Sequence, residues 1–352
     1  MNINIIIFHK YGDPQHFKGL YYLAKKKNID LEFVEFNLII QIFRVFRKKL
    51  KLRKFIQNLK YFFKLLVLKD ETIIIGAAPY EKIIPFLNYI KKRNNVIYFT
   101  SCPDWRLKSS YIQLPHFRYF VYKWLEFING IKAVTVSKAA KRQVTLLGAK
   151  ATHIPHCINT ELFKPQTNDY KKDKIIRILF VGSLIQRKGV PLILDLINSK
   201  DWKNVEFWFV GKGPYSRKLA EMEDQNKIKY FGHISSRRKL AKIYQMCDIF
   251  ILPSIREPFG IVLLEAVSSG IPCLVANSVG PSEIIDDKFN GLIIEKNNLT
   301  TFIDALEFLI SHTSMREKMG KNARIKAVKE YDIKVISKKW KKVLNNFIEE
   351  MK

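Results

Sequence analysis

Short runs of isoleucine, valine, leucine and phenylalanine recur along the chain, separated by longer stretches in which apolar residues return every three or four positions. A run of four to eight apolar residues bounded by turn residues fits a buried strand, and the longer pattern fits an amphipathic helix. Their alternation predicts an α/β fold with parallel sheets. In the first half the strands fall at 3–8, 31–36, 72–76, 95–100 and 133–137. In the second half they fall at 176–182, 205–211, 227–232, 249–253, 273–276 and 291–294. The stretch 163–173 is polar and without period, the best linker in the sequence. Two Rossmann-like domains follow, 1–165 and 174–332, facing each other across a cleft, with ligands expected beyond the carboxyl ends of the strands. A last helix begins near Ile333 and carries Trp340, Val343, Leu344 and Phe347 at helical spacing.

Two helical patterns differ from the rest. Between 38 and 69, Ile39, Phe43, Phe46, Leu50, Phe55, Leu59, Phe62 and Leu66 form an apolar stripe, and Arg44, Arg47, Lys48, Lys51, Lys54 and Lys64 stand between them. No acidic residue occurs between Glu35 and Asp70. This pattern fits a basic interfacial helix on an anionic membrane surface, or helices packed on a sheet with their lysines in water. In the second pattern Ile261, Val262, Leu263, Leu264, Ala266 and Val267 are apolar on every side, so this short helix should be buried. Glu265 interrupts it. A buried carboxylate without a partner costs several kcal/mol, so Glu265 needs either a cationic side chain or a ligand rich in hydroxyl groups. Gly260, just before this helix, lets a ligand approach the backbone, and a helix start suits a phosphate.

Composition narrows the classes. With 352 residues, 47% hydrophobic and 13% aromatic, the chain has ample core for two domains and is not disordered. Cys102, Cys157, Cys247 and Cys273 lie far apart, with no metal-ligand spacing; buried thiols and a reducing compartment are expected. Met1 leads straight into a strand, and no uncharged apolar run reaches about 18 residues. A cytoplasmic protein is therefore expected. The net charge is +29, of which residues 1–150 carry 28 Lys/Arg against 9 Asp/Glu, or +19. Such a field recruits acidic lipid, phosphorylated glycan or nucleic acid.

The densest chemical signal lies at 253–295. Glu257-Pro-Phe259-Gly260-Ile261 is followed by Glu265, with seven residues between the two glutamates, then Gly270-Ile-Pro272, Gly280-Pro-Ser-Glu283 and Asn290-Gly291. Upstream stand Gly182-Ser-Leu-Ile-Gln-Arg187-Lys188-Gly189, Val210-Gly211-Lys-Gly213-Pro214 and Phe231-Gly232-His233-Ile234. This series resembles the donor site of the retaining glycosyltransferases of family four, which have the GT-B fold. The resemblance implies transfer of a hexosyl unit from a nucleotide-diphosphate sugar to a hydroxyl of a glycan or lipid-linked acceptor, in surface polysaccharide or lipopolysaccharide synthesis. It implies retention at the anomeric carbon, no covalent intermediate and no required metal or cofactor. Arg187 and Lys188 would neutralise the leaving diphosphate, Glu257 would hold sugar hydroxyls and Glu265 the ribose. Gly182, Gly211, Gly213, Phe259, Gly260 and Ile261 would line the donor, and the main chain at Ile234 would meet the base. The family's last helix crosses back to the first domain, so 333–352 is expected there.

The first domain fits less closely. One glycine, Gly12, stands where the family has a glycine pair, and Asp104 follows a mid-domain strand without the usual histidine. Asp104 is a candidate catalytic residue, and His16 and His116 are candidates for sugar or acceptor contact. A nucleic-acid-modifying glycosyltransferase, motivated by the charge, and a nucleotide-sugar epimerase of the same fold remain as alternatives.

Overall fold

The computed structural model describes residues 4–9, 17–27, 29–35, 60, 63–76, 84–100, 115–166, 174–225 and 228–349. The chain divides into two compact units: Met1–His156 with Ile336–Lys352, and Cys157–Val335. In the first unit β1 (Asn4–His9), α1 (Lys18–Lys27), β2 (Asp30–Glu35) and β3 (Thr72–Ile75) are followed by α2 (Ile84–Arg93) and β4 (Asn95–Thr100). Then come α3 (Pro115–Ile128), β5 (Lys132–Thr135), α4 (Lys138–Leu146) and β6 (Lys150–His153). The six strands form one parallel sheet in the order β2-β1-β3-β4-β5-β6. Thr72–Ile75 and Val96–Thr100 are buried throughout, as continuous apolar runs in a sheet covered on both faces should be. Tyr98 packs edge-on against Trp124 and Phe127, at ring distances of 6.4 and 6.1 Å.

The second unit repeats the plan with β7 (Ile176–Val181), α5 (Val190–Asn198), β8 (Val205–Val210), α6 (Ser216–Asp224), β9 (Lys229–Tyr230) and α7 (Arg237–Gln245). It continues through β10 (Ile249–Leu252), α8 (Ile261–Ser268), β11 (Cys273–Ala276), α9 (Pro281–Ile284) and β12 (Gly291–Ile294) to α10 (Leu299–Ser311) and α11 (Thr313–Lys326). Its parallel sheet runs β12-β11-β10-β7-β8-β9. The chain therefore leaves β7 towards one edge through β8 and β9, then returns to β10 on the other side. In an open parallel sheet such a reversal opens a crevice between the carboxyl ends of the two central strands, and ligands bind there.

The chain passes through a π-helical turn at Ala327–Tyr331 into α12 (Ile333–Glu349). From Ile336 on, this helix belongs to the first unit, with Ile336, Trp340 and Leu344 buried. A Cβ on Gly19 would lie 2.8 Å from Ile336 Cγ2, so α12 rests directly on the glycine of α1. Trp340 lies 6.3 Å from the Phe17 ring.

Three expectations need correction. The first domain ends at His156, not 165. Residues 157–165 are held in the second unit by Arg324, whose Nη1 donates to the carbonyls of Thr160, Phe163 and Ser268 at 2.8–3.0 Å. Ile158 also bridges Asp332, and Phe163 packs edge-on to Tyr244 at 5.7 Å. β6 was not expected: it is an edge strand of alternating exposure, and Lys150-Ala-Thr-His lacks an apolar run. The strand expected at 227–232 shrinks to Lys229–Tyr230, again at an edge.

Candidate functional site

The loops that leave β7, β8 and β9 are joined backbone to backbone. Gly182 N donates to Val210 O at 3.0 Å, Leu184 N to Lys212 O at 3.0 Å, and Gly211 N to Gly232 O at 2.8 Å. A Cβ at position 211 would sit 1.8 Å from Gly182 O, and one at 213 would sit 2.4 Å from Leu184 O. Neither position has room for a side chain, which accounts for both glycines without any ligand. They also keep the crevice floor free of side chains.

Beyond Leu184 the chain makes a 3-10 turn at Gln186–Lys188 and leaves it through Gly189 in the left-handed region at φ 79°. That turn docks on the segment after β10. Ile255 N donates to Arg187 O at 3.0 Å, Arg187 Nη1 donates to Arg256 O at 2.7 Å, and a Cβ on Gly189 would meet Pro253 O at 2.2 Å. Lys188 Nζ forms an ion pair with Glu257 Oε2. Glu257 is 7% exposed, so its carboxylate needs this partner. The two central strand ends thus bring Arg187, Lys188 and Glu257 together, with the Arg187 side chain exposed and Lys188 partly covered.

Glu257 also borders the start of α8. Its Cγ lies 3.4 Å from where a Gly260 Cβ would stand, and its carbonyl accepts Gly280 N at 3.0 Å. Gly260 caps α8 in the left-handed region at φ 95°, a conformation that costs other residues. The N–H groups of the first turn have no partner inside a helix, and they give this end its partial positive charge. As expected, α8 is buried from Leu263 to Ser268, and Phe259 is buried beside it.

Glu265, 2% exposed, does have a cationic partner: Arg237 Nη1 donates to its Oε1 at 2.5 Å. The sequence left that partner unnamed. Its trace was an arginine at the first position of α7, 28 residues away, where a cation opposes the helix dipole. Oε2 of the same carboxylate is buried with no hydrogen-bond partner, as are the hydroxyls of Ser254 and Ser278 at the ends of β10 and β11. Buried polar atoms left open at strand ends fit a polar ligand. Tyr244 donates to Val262 O at 3.2 Å; its pKa is pushed up by burial and then by the Glu265 charge.

Not every expected residue joins this site. Gly12, Asp104 and His16 lie outside the described residues, as does the side chain of His116. Ile234 is half-buried and His233 exposed on the loop after β9. Asp248, just before β10, accepts Arg177 N at 3.0 Å and so has a structural role. Of the basic stretch 38–69, residues 60 and 63–69 are described: Phe63 and Val67 are exposed, Leu65 is buried, and Lys64 pairs with Glu32 at 2.6 Å. Among the described residues no group of three or more His, Cys, Asp or Glu gathers as a metal site would require.

These glycine-lined strand ends, with paired glutamates on either side of a helix start, invite comparison with known families. Residues 159–326 match the family of glycosyl transferases group 1. The group 1 match spans all six strands of the second sheet and every site residue described above. A relative is the UDP-Gal:alpha-D-GlcNAc-diphosphoundecaprenol alpha-1,3-galactosyltransferase of Escherichia coli, 27% identical over 234 residues, or 60% of either chain. The chain spans 54–60% of the length of three such curated relatives. Sucrose-phosphate synthase from Thermosynechococcus elongatus superposes with a TM-score of 0.77 at 14% identity, over 99% of this chain and 100% of that one. Anabaena HepE, solved in complex with UDP, gives 0.71 at 15% identity over 98% and 100%. At such identities the likeness concerns fold, and the fold is the two-unit α/β architecture of GT-B glycosyltransferases anticipated from the sequence.

Proposed function

We propose that the chain is a retaining, metal-independent glycosyltransferase that moves a hexose-type sugar from a nucleotide-diphosphate sugar to a hydroxyl of a glycan or lipid-linked acceptor. One observation carries this reading: Lys188, Glu257 and the start of α8 meet at the reversal point of the second sheet, with Arg187 beside them. Negative charge grows on the diphosphate as the glycosidic bond breaks. Arg187, Lys188 and the N–H groups at Ile261 answer that charge, and such preorganised donors are often the largest single term in catalysis. Glu257 faces the sugar hydroxyls, and the open Oε2 of Glu265 accepts from the ribose. The acceptor oxygen attacks from the face that the diphosphate leaves, and a donor phosphate oxygen takes its proton. Asp104 and Gly12 are given catalytic and donor-binding roles by resemblance alone.

Uridine is the base to test first, because the Escherichia coli relative is named for UDP-Gal and HepE was solved with UDP. A lipid-linked acceptor, like the diphosphoundecaprenol in that relative's name, would lie at a membrane. We assign the cytoplasmic face, with residues 38–69 as the contact to anionic lipid. No helix among the described residues is long and apolar enough to cross a bilayer.

The test is a panel of UDP-, GDP-, ADP- and dTDP-sugars read by calorimetry and by slow hydrolysis without acceptor. One base should bind in the micromolar range and be hydrolysed, and Arg187→Ala with Lys188→Ala should lower turnover at least 100-fold, roughly the loss of two charge-assisted contacts. Silence across the panel overturns the reading.

A further inference from the structure

We infer that Arg237 is the positioning residue that aims Glu265 at the nucleotide ribose, and so sets the preference for ribo- over deoxynucleotides. The inference rests on the donor-site reading above and adds to it a residue outside the motif that suggested that reading.

Three observations carry it. First, Glu265 sits in the apolar core of the second unit at 2% exposure, and Arg237 is the charged group that meets it, through Nη1 to Oε1 at 2.5 Å. Arg237 engages Oε1, the buried Tyr244 hydroxyl also bears on the carboxylate, and Oε2 is left buried without a hydrogen-bond partner. A carboxylate divided in this way has one acceptor without a hydrogen bond, which a ribose hydroxyl entering the site would satisfy. Second, Arg237 is itself held in place. Its guanidinium lies 4.6 Å from the centre of the Phe163 ring, a cation–π distance, and Phe163 is fully buried. The Phe163 carbonyl is in turn fixed by Arg324 and by the Ser268 hydroxyl. Third, Arg237 stands at the first position of α7, after the Ser236 cap, where the helix dipole opposes a cation. Pairing with Glu265 offsets that cost. The side chain is 31% exposed, so solvent reaches it from one side while the carboxylate it orients stays buried.

A group that only holds the fold together affects every ligand alike. One that aims Glu265 affects only ligands with ribose hydroxyls. UDP and 2′,3′-dideoxy-UDP, or the matching pair for the base chosen by the panel, are titrated by calorimetry into the wild type, Arg237→Gln and Arg237→Lys. Arg237→Gln/Glu265→Gln is added because it leaves no unpaired buried charge if the single variant unfolds. The wild type should favour the ribonucleotide about tenfold or more, the worth of one or two hydrogen bonds to a charged group. Arg237→Gln should lose most of that ratio with its dideoxy affinity unchanged, Arg237→Lys should recover part of it, and the double variant should show no preference. Equal weakening of both nucleotides assigns Arg237 a structural role and overturns the inference. So does tighter UDP binding in Arg237→Gln, which would make the arginine a competitor for Glu265. Failure of the wild type to bind any nucleotide overturns the donor-site reading itself, a separate outcome.

Discussion

The Lys188–Glu257 pair separates two demands on the same atoms. Both side chains are mostly buried, and removing one partner strands the other's charge, at a cost of about 3 kcal/mol. Lys188→Ala should therefore lower stability by about that amount in urea unfolding. Lys188→Met with Glu257→Leu should restore most of it, while nucleotide-sugar hydrolysis stays abolished. If the double replacement keeps activity, the pair is scaffold and not site. Gly211→Ala makes a purely steric demand. Its Cβ would stand 1.8 Å from Gly182 O, so the loops after β7 and β8 must part, and overpacking of this kind costs about 1–3 kcal/mol. Nucleotide affinity should fall with it, because Arg187 and Lys188 follow the first of those loops.

At the scale of the element, α8 is the strut of the second unit. Leu264→Ala within it should cost about 2–5 kcal/mol, measured by denaturant unfolding, since the side chain is fully buried. Two tyrosines in the same unit make its stability depend on alkaline pH. Tyr244 is pushed up by burial and then by Glu265, and Tyr331 by burial and then by Glu330, both above the ordinary value of 10.0. A raised folded pKa means the unfolded chain ionises first. These tyrosines thus contribute fully below pH 10.0 and progressively less above it. Unfolding free energy should drop from that pH upward, and Tyr244→Phe with Tyr331→Phe should flatten the fall. The same elements show what the sequence could disclose. α8, β3 and β4 were legible because burial on every side leaves an unbroken apolar run, and Glu265 stood out as the one charge inside such a run. β6 and β9 were not, since an edge strand needs no apolar run. The end of the first unit was hidden for another reason: residues 157–165 are held by carbonyls bonded to Arg324, about 160 positions later, and hydrogen bonds across such distances leave no periodicity. Arg237 escaped notice in the same way.

For the molecule as a whole, charge and thiols give bulk observables. Adsorption to vesicles containing phosphatidylglycerol should be strong at about 50 mM salt and largely lost by about 500 mM, where screening shortens the reach of a +29 chain. Phe63→Ser with Val67→Ser should weaken the residual binding if 38–69 is the contact, and leave it unchanged if lysines alone act. Cys157, Cys247 and Cys273 are buried, and burial raises the Cys273 thiol well above its ordinary pKa. A Cys102→Ser variant should accordingly show no thiol reactivity when native and three reactive thiols after denaturation. The return of α12 to Gly19 and Phe17 also has a consequence in time. The first unit breaks off at His156 and resumes at Ile336, 180 residues later. At about 5–20 residues per second, a ribosome needs roughly 10–40 s to cross that interval. For that time the apolar surface awaiting Trp340 stays open, and the second unit is complete before the first. The nascent chain is therefore most exposed to chaperones and proteases at its older end, and a ribosome that stalls anywhere in the second unit releases a first unit that lacks its closing helix.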